Sequence, residues 1–182
     1  MRWKNSLAVL LGVALVGVPV TAAIKAMNLR ELMEVTNDVI HGEIVDKTTF
    51  VDDHLMEGAV YTTLTVQGES LRSGEVTTFE VTFLGSHDPA DAFLISEMPA
   101  LQDVRIGSEA VLFTEAQADF GDRNVAHSWA SVYRVERSFG EPVLMGKGEG
   151  SAFPTNTTLV SARDQVREAH LAIEAAKQPA LK

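Results

Sequence analysis

The stretch from Val60 to Gly85, VYTTLTVQGESLRSGEVTTFEVTFLG, leaves the chain little choice of fold. Val60, Thr62, Leu64 and Val66 repeat with the two-residue period of a strand, and Thr77, Phe79, Val81 and Phe83 do so again. β-Branched and aromatic residues dominate both runs, as a pleated, half-buried surface requires. Gly68, Ser70, Ser73 and Gly74 lie between them and are turn formers. The pattern predicts a long hairpin at the centre of an antiparallel β domain.

The rest of the chain arranges itself around that hairpin. Asn28 and Glu31 have the spacing of a capping box, so a short helix carrying Leu29, Leu32 and Met33 is expected after Asn28. Val39 to Val45 reads as the first strand, with Gly42 inside it as a mark of a bulge or sharp bend. Asp46 to Gly58 reads as a polar, acidic loop. Ala92 to Glu97 reads as a fourth strand or a helical turn, closed by Pro99. Ala110 to Thr114 is an apolar run typical of a strand buried on both faces. Ala116 to Asn124 is a polar loop. Ser128 to Glu136 alternates, with Trp129, Ser131, Tyr133 and Val135 on one face, and Val143 to Met145 follows a turn. Gly146 to Asn156 is a glycine-rich exit loop. A terminal helix is expected over residues 161–176, with Ser161 as N-cap, Val166 and Ile173 facing inward, and Leu171 or His170 between them.

The N-terminus has a different character. Arg2 and Lys4 precede an apolar run from Leu7 to Val20, and small residues follow at Thr21 to Ala23. That is the layout of a secretory signal peptide over residues 1–22, with the mature chain starting near Ala23. The alternative is an uncleaved anchor, for which the run is marginal in length. No cysteine follows the run, so it has no lipidation site of the lipoprotein kind. Residues 23–182 then form one domain, and a chain that is 46% hydrophobic has enough apolar side chains for a core. Losing Arg2 and Lys4 removes two of the 15 basic side chains and none of the 25 acidic ones, so the formal charge moves from −10 to −12. An acidic domain is repelled by phosphate backbones and gains nothing from anionic lipid, which argues against nucleic acid and against a membrane role beyond the N-terminal segment. The expected location is secreted or periplasmic.

The strands also carry a resemblance. Asp38-Val39-Ile40-His41-Gly42-Glu43-Ile44-Val45 resembles the "AD-V-V-x-G-x-V" opening of a large set of secreted bacterial domains of unknown function. Tyr61-Thr62 with Leu64 and Val66 is similar to their "Y-T-x-V-x-V" strand, and Leu71 to Gly74 to their "L-K-G" turn, longer by one residue. Met98 to Leu101 and Gly107 to Phe113 are similar to their "P-x-F-x-x-G-E-x-x-V-L-F" segment. The order and spacing match from Asp38 to Met145. Those domains in turn resemble the OB-like barrel of netrin modules and of tissue inhibitors of metalloproteinases. The resemblance implies a mainly β, antiparallel OB-like barrel of five to six strands with a short N-terminal helix and a C-terminal helix. It implies no activity, because one fold hosts many functions. The chain departs from the metalloproteinase inhibitors in having no cysteine, including the N-terminal one that clamps zinc.

The chemistry-bearing residues argue for little catalysis. Without cysteine there is no thiolate nucleophile or thiolate metal site. His41, His54, His87, His127 and His170 include no H-x-x-x-H pair. His87, Asp88 and Asp91 with Asp52, Asp53 and His54 are metal-capable in type, but solvated turn residues account for them more simply. No G-x-S-x-G elbow occurs, and Gly146 to Ser151 lacks the G-x-x-x-x-G-K-[ST] phosphate-loop pattern. Trp129, Tyr133 and Phe139 with Tyr61 have the composition of a stacking platform, although large aromatics mostly bury in a barrel core or beneath a helix. The expected ligand face therefore comprises Asp52, Asp53, His54, Tyr61, Trp129 and Tyr133, beside the loops at Asp46–Gly58 and Ala116–Asn124. The function expected is that of an exported, non-enzymatic binding domain for a protein or an envelope polymer, without metal or cofactor. A proteinase-inhibitor-like module, and a hydrolase or metal-binding enzyme, are the alternatives.

Overall fold

The computed structural model describes residues 26–53, 57–116, 124–126 and 128–177. Residues 1–22, where a signal peptide is expected, together with His54, His127 and most of the loop at Ala116–Asn124, lie outside the described residues.

The chain begins with helix α1, Leu29–Val35. Its capping box forms as the spacing predicts: Glu31 N–H donates to Asn28 Oδ1 and Asn28 N–H to the Glu31 carboxylate, both at 3.0 Å. Seven residues are too few for a helix to hold by itself, so burial of Leu32 and Met33 keeps it in place. Strand β1 then runs from Asp38 to Asp52, well beyond the expected end at Val45. Its second half pairs residue by residue with the start of β2, Ala59–Ser70, so most of the expected acidic loop is strand. Thr48, Thr49, Phe50 and Val51 supply the β preference that the flanking aspartates disguise. A bulge interrupts the register between Ile44 and Asp46. Strand β3, Val76–Leu84, completes the expected hairpin.

Ala92 to Glu97 is not a strand. Phe93 forms one bridge to Ser86, and a single 3-10 turn at Leu101–Asp103 follows. Prolines at 89 and 99 remove the N–H groups that a longer ladder needs. Strand β4, Glu109–Glu115, is buried on both faces as predicted. Strands β5 (Asn124–Val125), β6 (Val132–Glu136), β7 (Val143–Leu144) and β8 (Thr157–Thr158) are short. The expected strand at Ser128 starts only at Val132, because Ser128–Ser131 winds into a 3-10 turn. Helix α2 spans Leu159–Lys177, starting before Ser161. Its cap is Thr158, whose hydroxyl accepts from Ser161 N–H at 3.2 Å. Val166 and Ile173 face inward as expected, whereas Leu171 is exposed.

The strand order β1–β2–β3–β5–β4 closes on itself through a second pairing of β1 with β4. The protein is thus mainly β: a closed five-stranded barrel with extra strands β6, β7 and β8, a short N-terminal helix and a long C-terminal helix. The barrel is mixed, since β3 meets β5 in parallel at Thr82 and Asn124 while its other ladders are antiparallel.

Alternation divides the buried side chains into two cores. Ile40, Ile44, Leu64, Val66, Phe79, Val81, Phe83, Ala110 and Leu112 fill the barrel. Val39, Val111, Phe113 and Tyr133 point out of it and are covered by Leu32 and Met33 of α1, by Val166 and Ile173 of α2, and by Phe153. The half of β1 that faces both cores, Asp38–Glu43, also positions the site described next.

Candidate functional site

His41 follows Val39 and Ile40 in β1 and shares the outward face with Val39. Val39 is buried in the outer core, whereas Glu43, two residues beyond His41, is exposed. His41 therefore sits at the rim of the outer core, 9% exposed. Two ladders set its neighbours. Across β2 it faces Glu69, and Glu43 faces Gln67; across β4, Glu43 faces Glu109. The outward face of three adjacent strands thus gathers one histidine, three carboxylates and one amide.

Glycine lets these strands approach. Gly42 and Gly68 are directly opposed in the β1–β2 ladder. A Cβ on Gly68 would lie 2.0 Å from the His41 carbonyl oxygen, and one on Gly42 would lie 2.4 Å from that of Gln67. Only a residue without a side chain fits such close backbones. The glycine that the sequence marks as a bend is therefore a point of contact, and the bulge falls two residues later.

His41 is bonded at both ring nitrogens. Nε2 lies 2.7 Å from Glu109 Oε1. Nδ1 lies 3.1 Å from Arg163 Nη2 and 3.4 Å from Glu69 Oε1. A guanidinium can only donate, so where Arg163 bonds Nδ1 the ring is neutral and gives its Nε2 hydrogen to Glu109. Arg163, from the first turns of α2, also pairs with Glu69. Arg137, in the turn after β6, holds Glu109 with two bonds, Nε to Oε2 at 2.6 Å and Nη2 to Oε1 at 2.8 Å. Burial works to raise the Glu109 carboxyl, but the bonds from Arg137 and His41 outweigh it and hold it below the usual carboxylate range.

These groups line a cleft of about 660 Å³. Glu43, Gln67, Val76, Gly107 and Arg137 form its open parts, and His41, Glu69 and Glu109 its floor. The Glu43 side chain makes no hydrogen bond or ion pair among the described residues.

The residues expected to form one ligand face fall into separate places. Asp52 ends β1 and Asp53 lies in the turn beyond it, where it accepts from Gly58 N–H at 2.7 Å. Tyr61 is 6% exposed and stacks on Phe50 at 5.5 Å between ring centres; burial, with Asp52 nearby, pushes its hydroxyl up. His54 lies outside the described residues. Tyr133 is fully buried in the outer core, edge-on to Phe113 and Phe153, so it belongs beneath the helices and offers no stacking face. Trp129 is half-buried. Lys147 links it to Tyr133, with Nζ 5.3 Å from the Trp129 ring centre and 5.5 Å from that of Tyr133. The same ammonium donates to the Trp129 carbonyl at 2.7 Å and lies 3.5 Å from Asp103.

His87 Nε2 bonds the Pro99 carbonyl at 2.8 Å, and Asp91 bonds Thr49. Among the described residues, no group of three histidines and carboxylates is placed to hold a metal ion, and no helix is long and apolar enough to cross a membrane. We find no family model, curated protein or solved structure that matches the chain.

The sequence reading missed His41, Glu69, Glu109, Arg137 and Arg163 as a group. A signal was present: Gly42 and Gly68 each stand beside a polar residue at a position where strand alternation calls for an apolar one. Pairing them required the β1–β2 register, which the bulge sets.

Proposed function

We propose that this chain is an exported, non-enzymatic binding domain on an OB-like barrel, and that its ligand, a protein or an envelope polymer, engages the cleft over His41. The closed order β1–β2–β3–β5–β4, with its parallel contact between β3 and β5, supports the OB-like reading. One observation carries the functional reading. The cleft is open and of ligand size, yet its ionisable floor is locked into pairs. A general base needs a ring nitrogen within reach of a substrate proton, and both nitrogens of His41 are bonded to the protein. Among the described residues that line the cleft there is no serine, threonine or lysine to act as a nucleophile. Fixed charges on rigid strands suit orientation of a guest, since the side chains are ordered before it arrives.

The test is to fill the cleft. Gln67 is exposed and lines the opening, so Gln67→Trp should leave the fold intact and block access. Full-length protein and this variant would be compared for capture from an envelope fraction and for turnover of ester, peptide and glycoside substrates. The expected result is a captured ligand lost in the variant, with no turnover by either. Equal capture by both would remove the cleft from the binding reading, and turnover abolished by Gln67→Trp would make the cleft an active site.

A further inference from the structure

We infer that the cleft takes a cationic side chain, a guanidinium in first place, from a basic segment of a protein partner, and that Arg137 is the internal stand-in which this guest displaces from Glu109. The inference rests on the binding reading above and names the chemistry of its guest.

Charge placement is the first support. Glu43 and Glu109 are direct partners in the β1–β4 ladder and share its outer face. Like charges directly opposed across a ladder destabilise it, so a counter-charge between them is favoured. Arg137 supplies one, but both its bonds go to Glu109, and Glu43 has no partner among the described residues. Arg163 is committed to Glu69 and the His41 ring on the α2 side. Arg163 serves Glu69, Arg137 and the His41 ring serve Glu109, and Glu43 is the carboxylate of the three left without a counter-charge among the described residues.

The second support is the state of Arg137. Its side chain is 65% exposed, while the carboxylate that it holds is only 16% exposed. The arginine comes from a surface turn and reaches over the cleft opening. Its two-bond grip on Glu109 is the geometry that a guanidinium from outside would also use. Arg137 is itself exposed, so on leaving Glu109 its charge passes to water while the guest guanidinium replaces its two bonds. A guest arginine gains more than Arg137 does, since it reaches Glu109 and Glu43 together. The Gln67 amide oxygen, beside Glu43 on β2, can accept a further bond. Val76, 78% exposed at the cleft edge, offers an apolar surface for the methylene stem of the incoming side chain. The cleft volume exceeds what one side chain fills, leaving room for the residues that flank it in a peptide.

The probe is argininamide, with citrullinamide as its uncharged isostere, titrated into full-length protein and followed by NMR at the His41 ring and the Gly68 and Gly107 amides. Argininamide should shift these signals saturably and citrullinamide should not, with binding weakened by salt. Glu43→Gln should weaken binding and Arg137→Ala should strengthen it, each by roughly threefold to tenfold. Both positions are exposed, so the variants should fold, and unchanged circular dichroism verifies that they do. Equal response to both probes, or an Arg137→Ala variant that binds argininamide no better than the parent, would overturn the inference. Ligand capture lost in Gln67→Trp would still stand in that case, so failure of the cationic guest is distinguishable from failure of the binding reading.

Discussion

The two cores of this protein are made in different ways. Strand residues supply most of the barrel interior, and each buried side there follows from a two-residue alternation. The outer core draws on α1, on α2, on the outward face of β1, β4 and β6, and on Phe153 from the loop before β8. The inner core is aliphatic with two phenylalanines, whereas the outer one turns on Phe113, Tyr133 and Phe153, arranged edge to face or tilted. Only the outer core has the cleft at its rim, where apolar Val39 gives way along one strand face to His41 and then to exposed Glu43. A closed barrel supplies rigidity and hides its side chains; a site requires the open edge of a second layer.

The largest expected effect separates the two cores by their tolerance of charge. Val81 has no exposure and points into the barrel. Val81→Asp places an unpaired carboxylate where no partner or water reaches it, with an expected loss of more than about 4 kcal/mol. That is a large share of the stability of a domain this size, so the variant should be unfolded or melt far below the parent. A melting temperature unchanged by Val81→Asp would take this residue out of the core and undo the β3 assignment.

Phe153→Ala tests the outer core. The ring is 1% exposed and packs on Phe113 and Tyr133. Removing it costs about 3 kcal/mol, toward the lower end for a buried phenylalanine, because a loop and a helix end collapse more readily than a barrel. Since β1 and β4 place alternate residues in both cores, the two layers should still unfold in one transition. Chemical denaturation followed by tryptophan fluorescence and by far-ultraviolet circular dichroism should give coincident curves. Separate curves would mean that the helical layer melts off an intact barrel.

The same division sets what was legible in the sequence. The hairpin of β2 and β3, the double burial of β4 and the capping box at Asn28 follow from local pattern, and the structure has them. The second half of β1 was hidden because Asp46, Asp52 and Asp53 read as loop, while its pairing with Ala59–Thr65 overrides that local preference. Trp129 and Tyr133 were expected on one strand face, but the 3-10 turn at Ser128–Ser131 separates their environments. The cleft was the least legible part. It brings His41 to Glu69, Glu109 and Arg163, which are 28, 68 and 122 residues away along the chain. Such contacts depend on a bulge, on barrel closure and on the docking of α2, and none of these has a local periodic signature.

Acid provides the smallest and most local contrast. The pH response assigned to Glu109 arises at the rim of the outer layer, where its carboxylate meets His41. Burial opposes ionisation of Glu109, yet its bonds to Arg137 and His41 hold the folded-state carboxyl below the ordinary value. In the unfolded chain it titrates near the usual glutamate value of about 4.3. Between the two values the unfolded state binds more protons, so the stabilising contribution is fully present above the ordinary value and is lost as pH falls through the folded one. Glu109→Gln keeps an acceptor for His41 but does not titrate. The variant should therefore be slightly less stable than the parent at neutral pH and should converge with it as the pH falls below the ordinary glutamate range. Melting curves at matched ionic strength measure this directly. Two curves that stay parallel across the whole range would show that Glu109 gains nothing from its charge in the fold, and the pairing of Arg137 with it would then have no energetic weight.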